Sequence, residues 1–229
     1  MAKRAPKQKP TLISLFSGCG GAALGFWQAG FEVRVFVEID RHACATLHRN
    51  WIDPRGMCKQ RHKPAILSKD ITRLSTRSIL KAAGLQVGEA DALEGGFPCQ
   101  GFSTANSKRH VDDERNVLYR QCVRVIRQAL PKTFMLENVP GLVSMAKGAI
   151  IRKICTDLAL CGYEMSWDIL DAADYGVPQR RRRVIMLGKR VDLLRCDFES
   201  GAMTNYMGVG GSITHPEWFE KKYPQRKTA

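Results

Sequence analysis

Short apolar runs alternate along this chain with longer segments in which apolar residues recur at helical spacing. Short apolar runs of this kind are typical of buried strands. Strands that alternate with helices predict an α/β, doubly wound fold, in which helices cover both faces of an open and mostly parallel sheet. The seven predicted strands are residues 12–16, 33–37, 65–69, 90–94, 133–136, 164–170 and 183–188.

Helical periodicity is clearest in three segments between these strands. Residues 22–29 follow the first strand, residues 118–129 end before a proline, and residues 142–158 lead to Gly162, a predicted C-cap. Residues 49–64 are irregular and basic, and we predict a loop there. The sequence therefore supplies helices for both faces of the sheet.

A row of arginines lies on a second face of the predicted helix 118–129. Arg120, Arg124 and Arg127 recur at helical spacing away from its apolar positions. Such a row is either a solvated face or a phosphate contact, and the sequence leaves both interpretations open.

The composition adds a strong positive charge. The 229 residues suffice for one domain with a buried core, and 44% apolar and 25% charged residues are ordinary for a globular protein. Thirty-six lysines and arginines against 22 acidic residues give a formal net charge of +14. This charge favours a polyanionic partner, although solvated lysines alone would give the same value.

The eight cysteines include no C-x-x-C pair, and several lie in apolar periodic segments where small buried thiols are usual. Cys58 and His62 supply half a zinc site, but no second pair lies nearby, so we predict no metal. A chain of this size without a disulfide framework fits a reducing compartment. We therefore expect a cytoplasmic protein.

Both ends of the chain lack the periodicity of its centre. Residues 1–10 are basic, contain no apolar segment of a secretory signal, and are predicted to be a mobile tail. Residues 191–229 are interrupted by glycines and are predicted to be a short extension. The predicted catalytic domain is residues 11–190. No apolar run approaches the roughly 18 residues that cross a bilayer, so we expect no membrane partner.

A glycine-rich loop directly follows the first strand. Gly18, Gly20 and Gly21 permit a tight turn onto a helix N-terminus and let the backbone approach a ligand closely. Glu38 ends the second strand and could accept hydrogen bonds from both hydroxyls of a ribose. The loop alone matches a dinucleotide site as well as an S-adenosylmethionine site.

A cysteine in a Gly/Pro turn is the main candidate nucleophile. Cys99 lies in the stretch GGFPCQGFS, residues 95–103, after the fourth strand. Such a turn can present a thiolate at the mouth of a pocket, provided that nearby positive charge or a helix dipole favours the ionised form. An inert buried cysteine is the alternative, and the flanking turn residues argue against it.

A run of four arginines opens the last strand. If the chain is extended from Gln179 onward, Arg181 and Arg183 share the face of that glutamine. Arg180 and Arg182 then share the other face. One face can line a pocket while the other meets phosphate or solvent.

Four stretches, in this order and at these separations, resemble the cytosine-5 DNA methyltransferase family. The resemblance runs from about Thr11 to Gly188. It implies the Rossmann-like fold of S-adenosylmethionine-dependent methyltransferases, with an antiparallel last strand, and S-adenosyl-L-methionine as the cofactor. The four stretches are residues 16–21 (FSGCGG), 95–103 (GGFPCQGFS), 137–139 (ENV) and 179–184 (QRRRRV).

The resemblance implies a role for each residue of the cofactor site. Phe16 would lie against the adenine, Glu38 would hold the ribose, and the pair Asp70 and Ile71 would contact the base. The position two before Phe16 is often acidic in relatives and is Ser14 here, which weakens the expected contacts. The implied cofactor-binding residues are Phe16, Gly18, Gly20, Gly21, Glu38, Ile39, Asp70, Ile71 and Pro98.

The resemblance also implies the reaction. Carbon 5 of cytosine is a poor nucleophile, and attack of the Cys99 thiolate at carbon 6 makes it enamine-like. Charge then accumulates at N3 and O2 of the ring, where Glu137 and an arginine can neutralise it. The implied catalytic residues are Cys99, Glu137, Arg181 and Arg183.

Double-stranded DNA is the implied substrate. A stacked base cannot present its faces to both reactants, so the target cytosine is expected to flip out while the loop 101–116 closes over it. RNA stays open as a substrate, because one branch of the family acts on tRNA. The implied DNA-binding residues are Gln100, Ser103, Arg115 and Gln179.

Relatives continue after the arginine strand with a target-recognition region, whereas 41 residues follow Gly188 here. There are three explanations: a second chain supplies that region, the gene is a truncated remnant, or the chain is a minimal enzyme with reduced selectivity. We favour the first two explanations. We therefore expect this chain alone to bind cofactor weakly and to methylate poorly.

Two other classes of protein account for part of the pattern. A nicotinamide-dependent oxidoreductase uses the glycine loop and Glu38 but gives the Pro-Cys-Gln turn and the arginine strand no role. A non-catalytic nucleic-acid-binding protein accounts for the charge but gives Cys99 no task.

Overall fold

The structure, a computed structural model, describes residues 9–98 and 117–193. Seven strands occur in this part of the chain, and each coincides with a predicted strand to within a few residues at its ends. They are β1 (Thr11–Leu15), β2 (Glu32–Glu38), β3 (Ala65–Ser68), β4 (Ala92–Gly95), β5 (Thr133–Asn138), β6 (Tyr163–Asp171) and β7 (Arg182–Arg190).

The strands form one mixed sheet in the order β3-β2-β1-β4-β5-β7-β6. Strand β1 pairs parallel with both β2 and β4, and β2 pairs parallel with β3. Strands β6 and β7 pair antiparallel over their whole length. The predicted fold class, a mostly parallel α/β sheet with an antiparallel last strand, is confirmed.

Six α-helices lie between consecutive strands in the described residues. The predicted helices 22–29 and 118–129 are confirmed as α1 and α4. None of the described helices is long and apolar enough to span a membrane. The helices are α1 (Gly21–Gln28), α2 (Arg41–Leu47), α3 (Thr76–Ala83), α4 (Val117–Ala129), α5 (Gly141–Ser144) and α6 (Ala149–Ala159).

The predicted helix over residues 142–158 is wrong in its middle. Ala146 and Lys147 have φ values of 46° and 52°, and consecutive left-handed residues cannot continue a right-handed helix. The segment therefore divides into α5, a 3₁₀ turn and α6. The predicted C-cap is also displaced, because α6 is capped at Leu160 and the left-handed Gly162 follows two residues later.

The predicted loop over residues 49–64 is wrong at its start. Helix α2 continues as a π-helical turn over His48–Ile52, and this turn buries Trp51, whose ring is 5.1 Å from that of Phe36. This turn was not predicted, because a single buried aromatic residue among basic neighbours gives no helical periodicity. The rest of the segment up to Pro64 has no regular structure.

The chain divides into two compact units, each described here by itself. Unit 1 is Met1–Gly96 with Arg124–Thr133, and unit 2 is Phe97–Val123 with Phe134–Ala229. One apolar cluster of unit 1 joins β1, β2 and β4 to α1 and α2. Its buried members are Leu12, Ala23, Val33, Phe36, Leu47, Trp51, Cys58 and Ala92.

Unit 2 packs aromatic rings against strand backbone. The rings of Phe134 and Tyr163 are 5.3 Å apart. A Cβ atom at Gly188 would lie 2.2 Å from the Phe134 ring, so a side chain there would displace the ring. Glycine at this position lets β7 approach the core closely.

The arginine row on α4 does not behave as one surface. Arg124 donates to Thr76 Oγ1 at 3.1 Å and to the carbonyl oxygen of Ile71 at 3.0 Å, and partial burial lowers its pKa. It is therefore a structural contact within unit 1. Arg120 and Arg127 are exposed, which fits a solvated face and a phosphate contact equally.

Candidate active site

The glycine loop after β1 has a backbone conformation that residues with side chains would not readily adopt. Gly18 and Gly20 have φ values of 53° and 86°, and Gly20 is the N-cap of α1. A Cβ atom at Gly20 would lie 2.8 Å from Leu47 Cδ2 and 3.3 Å from Trp51 Nε1. The loop needs glycine for conformation and for space. Phe16 is also left-handed, with φ 52°, which is uncommon for a non-glycine residue.

Glu38 ties the end of β2 to this loop. Its Oε2 accepts a hydrogen bond from the backbone N–H of Gly18 at 2.7 Å. Its Oε1 accepts from the backbone N–H groups of Ile39 and Asp40, both at 2.9 Å. The carboxylate is thus held at the carboxyl ends of β1 and β2, where open α/β sheets bind their ligands. The side chain of Ile39 is 66% exposed and supplies an apolar surface beside it.

Asp70 and Ile71 follow β3 at the same edge of the unit 1 strands. Asp70 Oδ1 accepts from the Thr72 backbone N–H at 2.9 Å, and this hydrogen bond lowers the pKa of the carboxyl. Ile71 as a whole residue is 4% exposed and packs in the core, so it offers little surface to a ligand.

These residues fit the adenosyl part of S-adenosyl-L-methionine. No atom lies within 4 Å of the position of a Cβ atom at Gly18 or Gly21, so the loop is open to a ligand there; the Glu38 carboxylate can accept from hydroxyl groups, and Ile39 is an exposed apolar surface. All of them except Pro98 belong to unit 1. Pro98 belongs to unit 2 and immediately precedes the candidate nucleophile.

The turn that leads to Cys99 is anchored by a residue that sequence reasoning missed. Asn138 is 3% exposed, and its Nδ2 donates to the carbonyl oxygen of Phe97 at 2.9 Å. Its Oδ1 accepts from the Val139 backbone N–H at 2.8 Å. Asn138 stands beside Glu137 in the stretch that carries the resemblance, but no spacing rule identifies its main-chain partner. Cys99, Gln100, Ser103 and Arg115 lie outside the described residues.

Glu137 and Arg183 come together although they are far apart in sequence. Arg183 Nε lies 2.7 Å from Glu137 Oε1, and the two side chains are 25% and 32% exposed. Arg183 Nη1 also donates to the carbonyl oxygen of Arg182 at 2.7 Å. A carboxylate and a guanidinium are thus held side by side and remain open to a ligand.

Gln179 and Arg181 are not part of the strand that carries Arg183. Strand β7 begins at Arg182, so the condition under which Gln179 would share a face with Arg181 and Arg183, an extended chain from Gln179 onward, is not met. A tight turn explains this, because the Gln179 N–H donates to the carbonyl oxygen of Val177 at 2.7 Å. The backbone N–H of Arg181 donates to Asp171 Oδ1 at 2.9 Å, and the side chains of Gln179 and Arg181 are exposed.

A basic groove lies on unit 1, in the segment that was predicted to be a loop. Its volume is about 760 Å³. Asp53 is the acidic residue of the lining and is held by Arg55, whose Nη2 lies 3.2 Å from Asp53 Oδ2. The lining residues are His48, Arg49, Ile52, Asp53, Pro54, Arg55 and Lys63.

Comparison with known proteins decides the family. The family model described as C-5 cytosine-specific DNA methylase matches residues 11–228. The chain belongs to this family.

Several relatives of this chain are named Type II methyltransferases. The Type II methyltransferase M.AquIA of Picosynechococcus sp. is 41% identical over 188 residues, which are 79% of this chain and 72% of that protein. The Type II methyltransferase M1.HphI of Haemophilus parahaemolyticus is 37% identical over 207 residues, which are 90% of this chain and 52% of that protein. The chain thus spans about half of the second relative.

Solved structures agree with the fold of this DNA methylase. A prophage-encoded protein of E. coli, assigned to the DNA modification methyltransferases, has a TM-score of 0.66 and 32% identity over 81% of this chain and 48% of that one. The methyltransferase EhMeth of Entamoeba histolytica has a TM-score of 0.59 and 18% identity, over 80% of this chain and 53% of that one. The second likeness concerns the fold alone.

Proposed function

We propose that this chain is a DNA (cytosine-5-)-methyltransferase that transfers a methyl group from S-adenosyl-L-methionine to carbon 5 of a flipped-out cytosine through a covalent Cys99 adduct. The ion pair between Glu137 and Arg183 carries the proposal. Attack at carbon 6 loads negative charge onto N3 and O2 of the ring, and a neighbouring carboxyl and guanidinium are the groups that stabilise it.

Three groups of this chain act on the ring in the proposed reaction. The Cys99 thiolate forms a bond to carbon 6, and the ring electrons move towards N3 and carbon 5. Glu137 takes up a proton as the cytosine binds, its carboxyl group donates that proton to N3 in a hydrogen bond, and Arg183 donates to O2. S-adenosyl-L-methionine, when bound, supplies an electrophilic methyl group to carbon 5. The carbon 5 proton then leaves to a base, and the bond between carbon 6 and Cys99 breaks to return the thiolate.

The contacts of Arg183 suit this role. Its Nε is engaged by Glu137 and its Nη1 by the carbonyl oxygen of Arg182, so the guanidinium has a fixed orientation before substrate enters. Neither bond uses Nη2, which can donate to O2 of the base. Preorganised donors of this kind avoid reorganisation during the reaction.

The cofactor and DNA contacts follow from the same proposal. The glycine loop, Phe16, Glu38, Ile39 and the backbone after β3 would hold the adenosyl group. Gln100, Ser103, Arg115 and Gln179 would contact double-stranded DNA, and Arg181 would assist in the pocket. Because relatives are named Type II methyltransferases, we propose a modification enzyme in a bacterial or phage-infected cytoplasm.

The activity of the isolated chain tests whether a second chain supplies target recognition. We expect little transfer of labelled methyl groups to mixed-sequence DNA by this chain alone. We expect a large increase when the product of the neighbouring gene is added, because that product would orient the DNA. Site-specific methylation by the chain alone, at a rate unchanged by the second protein, would show that no partner is needed.

The basic groove favours a second candidate function, that of a nucleic-acid-binding protein without catalysis. We propose that the groove contacts the phosphate backbone. The logarithm of the affinity for duplex DNA falls with the logarithm of salt concentration, with a slope of about 0.9 for each phosphate contact. The double variant Arg49→Gln/Lys63→Gln should therefore lower that slope by about 2, while Arg55 stays paired with Asp53.

The matched control for the groove removes two charges elsewhere on unit 1. Arg77 and Lys81 are exposed on α3, outside the groove lining. The slopes are measured by fluorescence titration of duplex DNA at several salt concentrations. The variant Arg77→Gln/Lys81→Gln should leave the slope nearly unchanged. Equal slopes for both double variants would mean that the protein's overall charge, and not the groove, binds the phosphates.

A further inference from the structure

A buried carboxylate connects β4 with β1, the strand that leads into the glycine loop. Ser14 of β1 and Glu94 of β4 are directly opposite in the parallel ladder. Ser14 is 0% exposed and Glu94 is 3% exposed, and the Ser14 hydroxyl donates to Glu94 Oε1. Burying a carboxylate is costly, and the proposed reaction assigns Glu94 no role.

The hydrogen bonds continue from Ser14 into the glycine loop. Ser14 Oγ lies 2.8 Å from Oγ of Ser17, which is itself buried and immediately precedes Gly18. The Ser17 backbone N–H donates to the carbonyl oxygen of Val37 at 3.2 Å. One chain of polar contacts therefore runs from β4 through β1 to the loop and on to β2.

This chain of contacts passes on both sides of a strained residue. Phe16 lies between Ser14 and Ser17, and its φ of 52° is unfavourable for a residue with a side chain. Such a conformation persists only where the surroundings over-determine it. The contacts of the two serines fix the backbone on either side of Phe16.

We infer that Glu94 is a positioning residue for the cofactor loop, holding Phe16–Gly21 in its binding conformation through Ser14 and Ser17. The inference rests on the proposed function, in which this loop binds S-adenosyl-L-methionine. It also accounts for Ser14, which stands where an acidic residue is often found in relatives. In this chain Glu94 would supply from β4 the carboxyl group that relatives often carry on β1.

A pair of substitutions that moves the carboxyl group from β4 to β1 tests the inference. Glu94→Ala should weaken the binding of S-adenosyl-L-homocysteine about tenfold in calorimetry, because the loop loses a buried hydrogen-bonded anchor. Ser14→Asp alone should also weaken binding, because it puts two carboxylates in contact. The double variant Ser14→Asp/Glu94→Ala should bind within about threefold of the unchanged protein.

Glu94→Gln is the conservative variant. It keeps an oxygen that can accept from Ser14, and we expect its affinity to lie between those of the unchanged protein and Glu94→Ala. If Ser14→Asp and Glu94→Ala act independently, the double variant will have the lowest affinity of all. That result would overturn the inference. A general loss of folding would lower the unfolding temperature of every variant, whereas rescue by the double variant requires the specific contact.

Hydrogen exchange supplies a readout that needs no cofactor. In the ligand-free protein, Glu94→Ala should speed amide exchange in Phe16–Gly21 several-fold and leave exchange in α3 unchanged, and Ser14→Asp/Glu94→Ala should restore slow exchange. Unchanged exchange in the loop of Glu94→Ala would refute the positioning role. If the unchanged protein binds no cofactor although its loop responds to Glu94→Ala, the proposed function fails while the positioning role stands.

Discussion

Replacing Cys99 with serine is expected to abolish methyl transfer, with a fall of about 10³-fold or more in rate. A hydroxyl group near neutral pH is far less nucleophilic than a thiolate, and loss of a covalent nucleophile removes the route that activates carbon 5. Transfer of labelled methyl groups to DNA measures the loss. The assay uses the chain together with any second protein that it needs.

Covalent trapping identifies the bond itself. With S-adenosyl-L-methionine present, a duplex carrying 5-fluorocytosine should become attached to the unchanged protein in a complex that survives denaturing electrophoresis, because fluorine at carbon 5 cannot leave as a proton does. Cys99→Ser should form none. Cys161→Ser is the matched control, because a serine hydroxyl can still donate to the Asp157 carbonyl oxygen that the Cys161 thiol contacts at 3.1 Å.

The outcome separates the two candidate functions. An attached complex with Cys99→Ser, or none with a competent unchanged protein, would refute the proposed reaction. A variant that binds DNA and cofactor normally but transfers nothing supports it, because the loss is then confined to chemistry. If Cys99→Ser changes no measurable property, the non-catalytic interpretation is the better one.

The strands were predictable because each is a compact apolar run with clear boundaries, and all seven are present. The interruption at Ala146 and Lys147 was not predictable, because two left-handed residues leave the apolar spacing on both sides intact. The π-helical turn around Trp51 was hidden for a related reason. A single buried aromatic residue among basic neighbours has no period.

Some residues of the candidate site were likewise predictable from the sequence, and others were not. Glu137 and Arg183 were predictable because each lies at the end of a strand in a recognisable stretch, and the structure brings them within 2.7 Å. Asn138 and Glu94 were not identified, since their partners are a main-chain carbonyl and a residue on the neighbouring strand. Contacts of this kind depend on strand order, and local sequence patterns do not contain it.

Glu137→Gln and Arg183→Lys are each expected to lower the rate of methyl transfer about 10²- to 10³-fold, the usual loss when one group that stabilises transition-state charge is removed. The glutamine cannot supply a carboxyl proton to N3. The lysine has one ammonium group, so it cannot contact Glu137, the Arg182 carbonyl oxygen and the base in the geometry of a guanidinium. Single-turnover rates at saturating DNA measure the chemical step.

The double variant gives the sharper result, because the two side chains contact each other in the absence of substrate. Breaking the pair from either side disturbs the same arrangement, so Glu137→Gln/Arg183→Lys should lose much less than the product of the two single losses. Arg182→Gln is the matched control, since its exposed side chain neighbours Arg183 while its carbonyl oxygen is retained. Fully multiplicative losses would mean that Glu137 and Arg183 act independently, and the ion pair would then have no part in the mechanism.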